Sequence, residues 1–159
     1  MKNTRFALLF VALLLLPSTM MAQLQRSQDF KGKYQLKEVV ILSRHNIRAP
    51  LSDNGSALGR LTPHAWTHWS SGASELTTRG GVLETMMGQY FRKWVVSEGL
   101  FKENAVPTAS EVNFYANSMQ RTIATAQYFS SGFMPLANLH INHRYTASKM
   151  DPVFTPRLT

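Results

Sequence analysis

The residues best suited to chemistry lie in one short stretch, Ser43-Arg44-His45-Asn46-Ile47-Arg48-Ala49-Pro50. It puts one imidazole between two guanidinium groups. Two cations within three residues of a histidine are hard to explain as packing, because a buried cation needs a partner. Guanidinium forks match phosphate oxygens two at a time, so the grouping suits an anion. A third arginine, Arg121, falls in the first turn of an expected helix, where backbone amides and the helix dipole favour negative charge. A positive field disfavours imidazolium, so His45 is expected to stay neutral and nucleophilic.

Rival ligand patterns are weaker. His64 and His68 are four apart in a Pro- and Trp-containing loop, and His140 and His143 would face opposite sides of a strand. No carboxylate or cysteine completes either pair, so no metal is expected. Asn54-Gly55-Ser56 matches a glycosylation acceptor but reads more simply as a turn.

The positioning elements follow from hydropathy. Glu38 to Ser43 contains Val39-Val40-Ile41-Leu42, a short β-branched run that suits a strand buried on both faces and ending at Arg44-His45. From Asn46 to Glu75 the chain is rich in Gly, Pro, Ser and Asn, a long excursion of the kind that carries function. Thr78 is the expected N-cap of a helix reaching Gly99, with Val82, Met86, Met87, Tyr90, Phe91, Trp94 and Val95 as its buried face. Glu111 to Ala116 reads as a second strand. Asn117 or Ser118 would cap a second helix through Phe129, stopped by Gly132 and Pro135, and Leu139 to His143 alternates as a third strand. The order strand, loop, helix, strand, helix, strand implies an α/β fold with a parallel sheet, whose ligands collect at the carboxyl ends of the strands.

Composition bounds the rest. The 159 residues include 17 Lys+Arg and 9 Asp+Glu, for a net charge of +8, with 44% hydrophobic and 16% charged residues and no cysteine. That excludes a disordered chain, a disulfide framework, a Cys-ligated metal and a thiol nucleophile. Lys2 and Arg5 precede the eleven-residue apolar run Phe6–Leu16, and Pro17 to Ala22 follow it. This is the pattern of a secretory signal peptide over 1–22, too short in its apolar part for a stable membrane anchor. Residues 23–159 then keep 15 cations against 9 anions, +6. The cations are scattered, without a basic stripe or stacking motif, so nucleic acid is not the expected partner.

The segment from Val39 through Pro50 resembles the signature of the histidine acid phosphatases, the acid branch of the histidine phosphatase superfamily. Ala49-Pro50-Leu51, Thr62-Pro63, Trp66, Trp69, Leu76 to Glu84, Tyr115 to Thr122 and Met150 to Phe154 extend the likeness, which leans toward periplasmic glucose-1-phosphatases. Asn46 belongs to that leaning, since the broader family usually has Gly there. The resemblance implies that His45 is the nucleophile that becomes phosphohistidine and that Arg44, Arg48 and Arg121 hold the phosphoryl oxygens, with no metal or other cofactor. It implies a small phosphomonoester as substrate, a sugar phosphate or an inositol phosphate, and a periplasmic or secreted location. Family members also carry a His-Asp motif near the C-terminus, whose aspartate protonates the leaving oxygen. This sequence has no His-Asp dipeptide. Residues 23–159 thus resemble the N-terminal part of a histidine phosphatase domain without its helical insert and later strands. Two functions are therefore expected to compete, a truncated phosphatase inactive by itself and a non-catalytic secreted phosphate-binding or interaction module.

Overall fold

The computed structural model of the chain describes residues 28–51, 60–64, 67–146 and 149–155. The expected signal peptide, Asn54-Gly55-Ser56 and Trp66 lie outside them. The chain divides into two compact units, residues 1–35 and 36–159. In the first, helix α1 (Gln28–Lys33) ends on a stacked pair, Phe30 and Tyr34, with ring centroids 4.6 Å apart.

The second unit contains helix α2 (Thr78–Ser97), strand β1 (Phe114–Tyr115), helix α3 (Gln120–Phe133), strand β2 (Ile141–Asn142) and a 3-10 turn (Pro152–Phe154). The strands pair in parallel, Phe114 with Ile141 and Tyr115 with Asn142, and α3 is the crossover between them. The expected α/β class with a parallel sheet is thus observed, with strands shorter than expected.

Several local expectations are corrected. No strand forms over 38–43. The segment is unpaired among the described residues, with Val40 85% and Leu42 90% exposed and only Val39 packed on the core. A β-branched run becomes a strand only when a neighbour completes its ladder, and no described residue does so. The Met stripe of α2 is not its buried face either. Met86, Met87, Val82 and Tyr90 are exposed, while Gly80, Gly81, Glu84, Gly88 and Val95 are buried. The reason is close approach of backbones. A Cβ on Gly88 would collide with the Phe129 carbonyl oxygen and one on Gly132 with the Thr85 carbonyl oxygen, so α2 and α3 meet where both lack side chains. Gly132 therefore does not stop α3. The helix continues to Phe133 and caps at Met134.

Beyond this crossing, Phe91, Phe129, Phe133 and Phe114 form a chain of ring contacts at 5.5 to 6.4 Å. Phe91, Phe114 and Phe129 pack against Val95, Phe133 and Met134, the buried centre of a small core. Offset and edge-on aromatic contacts of this kind add to the burial of their area.

The unpaired Val40–Leu42 segment and the exposed α2 face form apolar surface of the kind that drives association. We expect the 159-residue chain to self-associate, with rapid amide exchange over 38–43 and slower exchange in α2 and α3. Light scattering and hydrogen exchange check this. A monodisperse monomer with 38–43 protected would contradict it.

Candidate functional site

The arginine- and histidine-bearing loop is held by a short antiparallel contact with residues 74–77. Ala49 N–H donates to the Glu75 carbonyl (2.9 Å), Thr77 N–H to the Ile47 carbonyl (3.0 Å) and Ser74 N–H to the Pro50 carbonyl (2.7 Å). Arg48 and Leu76 form the bridge at its centre. Thr77 joins this contact to α2, because its hydroxyl donates to the Ile47 carbonyl (2.9 Å) and accepts from Gly80 N–H (3.0 Å). The helix N-cap is therefore Thr77, one residue before the expected Thr78. Gly80 is required here, since a Cβ would strike the Ile47 carbonyl oxygen. The site is thus placed by a loop pinned to a helix start and not by the end of a paired strand.

Arg44, His45, Asn46, Ile47, Arg48, Pro50 and Glu84 line one open depression of about 620 Å³. His45 Nδ1 lies 2.8 Å from the Asn46 carbonyl oxygen. A carbonyl can only accept, so Nδ1 carries hydrogen, and in the neutral ring the lone pair is on Nε2. Arg48 donates through one terminal nitrogen to the Ala49 carbonyl (2.8 Å), which leaves other guanidinium donors for a ligand.

Arg121 does not line that depression. It stands near enough to Arg48 and Arg44 that their charges, after burial itself, lower its pKa from the usual guanidinium value. Its side chain donates to Ser74 Oγ (2.8 Å), and its buried Nε has no hydrogen-bond partner among the described residues. A buried donor left unpaired is costly. Ser74 itself has φ of 68°, a left-handed backbone unusual for a residue with a Cβ. Neither Ser74 nor Glu84 was singled out by sequence pattern as a site residue.

The start of α3 also departs from expectation. Met119 is the N-cap and offers no side-chain hydrogen bond. Asn117 and Ser118, expected to cap, are used elsewhere. Ser118 Oγ accepts from Tyr145 N–H (2.9 Å), and Asn117 Oδ1 accepts from Asp151 N–H (2.9 Å). No side chain therefore caps the first amides of the helix that carries Arg121.

Asp151 anchors this turn. It is fully buried, accepting from Tyr115 Oη at 2.5 Å and from Val153 N–H at 3.0 Å, with Arg144 at 3.8 Å. The Tyr115 hydrogen bond, then the Val153 amide, hold its carboxyl below the ordinary carboxylate range, and Arg144 adds to this against the opposing effect of burial. The same carboxylate raises the Tyr115 phenol, chiefly through that hydrogen bond. A depressed carboxyl stabilises the fold above its unfolded pKa of about 4 and loses that contribution as pH falls through the lower folded value. A raised phenol stabilises below its unfolded pKa of about 10 and loses the contribution as pH rises through the higher folded value. We expect the Tyr115 ring carbon signals to titrate above the ordinary phenol range, and Asp151→Asn to bring that midpoint down. An unchanged midpoint in the variant would refute the coupling.

Comparison with known proteins gives the family. Residues 35–155 match the family model described as the histidine phosphatase superfamily, branch 2. The glucose-1-phosphatase of Salmonella typhimurium is 43% identical over 159 residues, all of this chain and 37% of that protein. The glucose-1-phosphatase of Providencia rettgeri is 42% identical over 134 residues, 84% of this chain and 32% of that one. The solved structure of Hafnia alvei phytase in complex with tartrate superposes with a TM-score of 0.69 at 36% identity, covering 76% of this chain and 29% of that one. The chain thus spans about a third of the length of the relatives it matches.

Proposed function

Because the chain belongs to branch 2 of the histidine phosphatase superfamily, we propose that it is the His45-bearing part of a glucose-1-phosphatase-like acid phosphatase. In this reading His45 Nε2 attacks the phosphorus of a phosphomonoester. A Nε2–P bond forms, the bond from phosphorus to the ester oxygen breaks, and the electron pair leaves with that oxygen. Water then hydrolyses the phosphohistidine. Arg44, Arg48 and Arg121 hold the phosphoryl oxygens and stabilise the charge developing on them, which is most of what phosphoryl transfer asks of a protein. The substrate is a sugar phosphate or an inositol phosphate, handled without a metal or cofactor. Residues 1–22 direct export to the periplasm or beyond, and residues 23–159 form part of the α/β phosphatase domain. No helix among the described residues is long and apolar enough to cross a membrane.

The observation that carries the reading is the bond from His45 Nδ1 to the Asn46 carbonyl, made in a depression that Arg44 and Arg48 also line, so that Nε2 is the nitrogen left to act as nucleophile. The direct test is binding of inorganic phosphate to the 159-residue chain, followed by phosphorus NMR. Saturable binding that weakens with salt and falls at least about tenfold in Arg48→Ala is expected, since a charge-assisted contact is lost. No saturable binding at millimolar phosphate would refute the reading. Binding without any phosphohistidine from an activated ester would favour the non-catalytic phosphate-binding module instead.

A further inference from the structure

Asn46 is held at four points. Its backbone N–H reaches Thr125 Oγ1 on α3 (3.4 Å), its carboxamide Nδ2 donates to Glu84 Oε1 on α2 (2.8 Å), its Oδ1 accepts from Ile47 N–H (2.8 Å), and its carbonyl accepts from His45 Nδ1 (2.8 Å). Glu84 is only 6% exposed, yet it lines the same depression as His45 and the arginines. A carboxyl group is seldom buried unless its oxygens are satisfied, and here a primary amide meets one of them. The contact also fixes which end of the amide faces which neighbour, because the NH₂ must point at Glu84 and the oxygen at the Ile47 amide. With the backbone nitrogen and the side chain both tethered, the planar peptide after Asn46 has little freedom, and its carbonyl stays aimed at the imidazole.

We propose that Glu84 is a positioning residue for His45: by holding Asn46 it keeps the Asn46 carbonyl on Nδ1 and so keeps Nε2 as the unprotonated nitrogen. Glu84 acts through Asn46 and need not touch substrate. The consequence for catalysis rests on the reading of His45 as nucleophile, whereas the tautomer itself does not.

The test uses the 159-residue chain with nitrogen-15 in its histidines. Long-range proton–nitrogen correlations distinguish a protonated from an unprotonated ring nitrogen, and His45→Ala identifies the His45 signals among the five histidines. The unaltered chain and Glu84→Gln, which keeps an oxygen acceptor, should show hydrogen on Nδ1. Glu84→Ala and Asn46→Gly should each shift the tautomer ratio toward hydrogen on Nε2 by about fivefold, the scale of one lost hydrogen bond. The double variant should shift no further, since both single changes remove the same contact. Phosphohistidine formation from p-nitrophenyl phosphate should fall about tenfold in Glu84→Ala, while phosphate binding stays within about twofold, because the change misaligns the attacking atom and leaves the arginines intact. An unshifted tautomer in Asn46→Gly overturns the proposal, and that variant removes no buried carboxyl, so it serves even where Glu84→Ala fails to fold. If His45→Ala still forms phosphoenzyme, the nucleophile assignment fails while the tautomer result stands or falls by itself.

Discussion

The 159-residue chain should give no measurable turnover of glucose 1-phosphate and at most trace release of nitrophenolate from p-nitrophenyl phosphate, and His45→Ala should abolish that trace. The two substrates differ in the proton their leaving groups need. A sugar alkoxide leaves poorly unless an acid protonates it, assistance worth roughly 10²- to 10⁴-fold, whereas nitrophenolate leaves as the anion. On the proposed reading His45 and the arginines serve the attack on phosphorus, and the sequence has no His-Asp dipeptide of the kind expected to provide that acid. On that reading the first half-reaction on an activated ester is expected to proceed with His45 and the arginines alone. Phosphorylation of His45 should be visible as an acid-labile, base-stable phosphorus signal after quenching, absent in His45→Ala. Joined to the remaining two thirds of a relative such as the Salmonella glucose-1-phosphatase, the same chain should hydrolyse both substrates, and His45→Ala should remove both activities. Robust hydrolysis of glucose 1-phosphate by the unaltered chain would show that one of its own residues acts as the acid. Full activity after His45→Ala in the joined protein would refute the nucleophile assignment.

What the sequence made legible was what contiguity or strong periodicity encodes. Arg44, His45 and Arg48 share one short loop, so their meeting in a depression required no knowledge of the fold. Arg121 was legible only through the α/β order that puts it at the start of α3, and the structure leaves it outside the depression that Arg44, His45 and Arg48 line. Glu84 was not legible. A lone glutamate within a helix patterned by Met and aromatic residues reads as solvent-facing, and only the packing shows it buried. The signal was present in Gly80, Gly81 and Gly88 around it, a face of missing side chains that lets α3 and the His45 loop approach. Hydropathy periodicity gives such a face no weight, and for that reason it assigned burial to Met86 and Met87 instead. The run at 39–42 misled in the opposite way. Its composition is that of a strand, but pairing is a property of two segments, and no described residue pairs with this one.

Arg121→Met should cost phosphate affinity about tenfold to a hundredfold, the scale of one charge-assisted hydrogen bond, while leaving α3 as protected as before or more so. The second half of that expectation follows from the unliganded state. Burial and the charges of Arg48 and Arg44 lower the Arg121 pKa, and its Nε is buried without a partner among the described residues. Replacing it with an unbranched apolar side chain of similar length removes the repulsion and the unpaired donor, at the loss of one hydrogen bond to Ser74 Oγ. Added phosphate should reverse the ranking. A ligand that binds only the folded state stabilises it by about 2.7 kcal/mol at a hundred times its dissociation constant, so the unaltered chain should gain protection in α3 and in the 74–77 contact while the variant gains none. Hydrogen exchange on both proteins, with and without phosphate, reads both effects in one experiment. Loss of α3 protection in Arg121→Met together with unchanged phosphate binding would show that Arg121 serves as a brace for Ser74 and that Arg44 and Arg48 hold the anion without it.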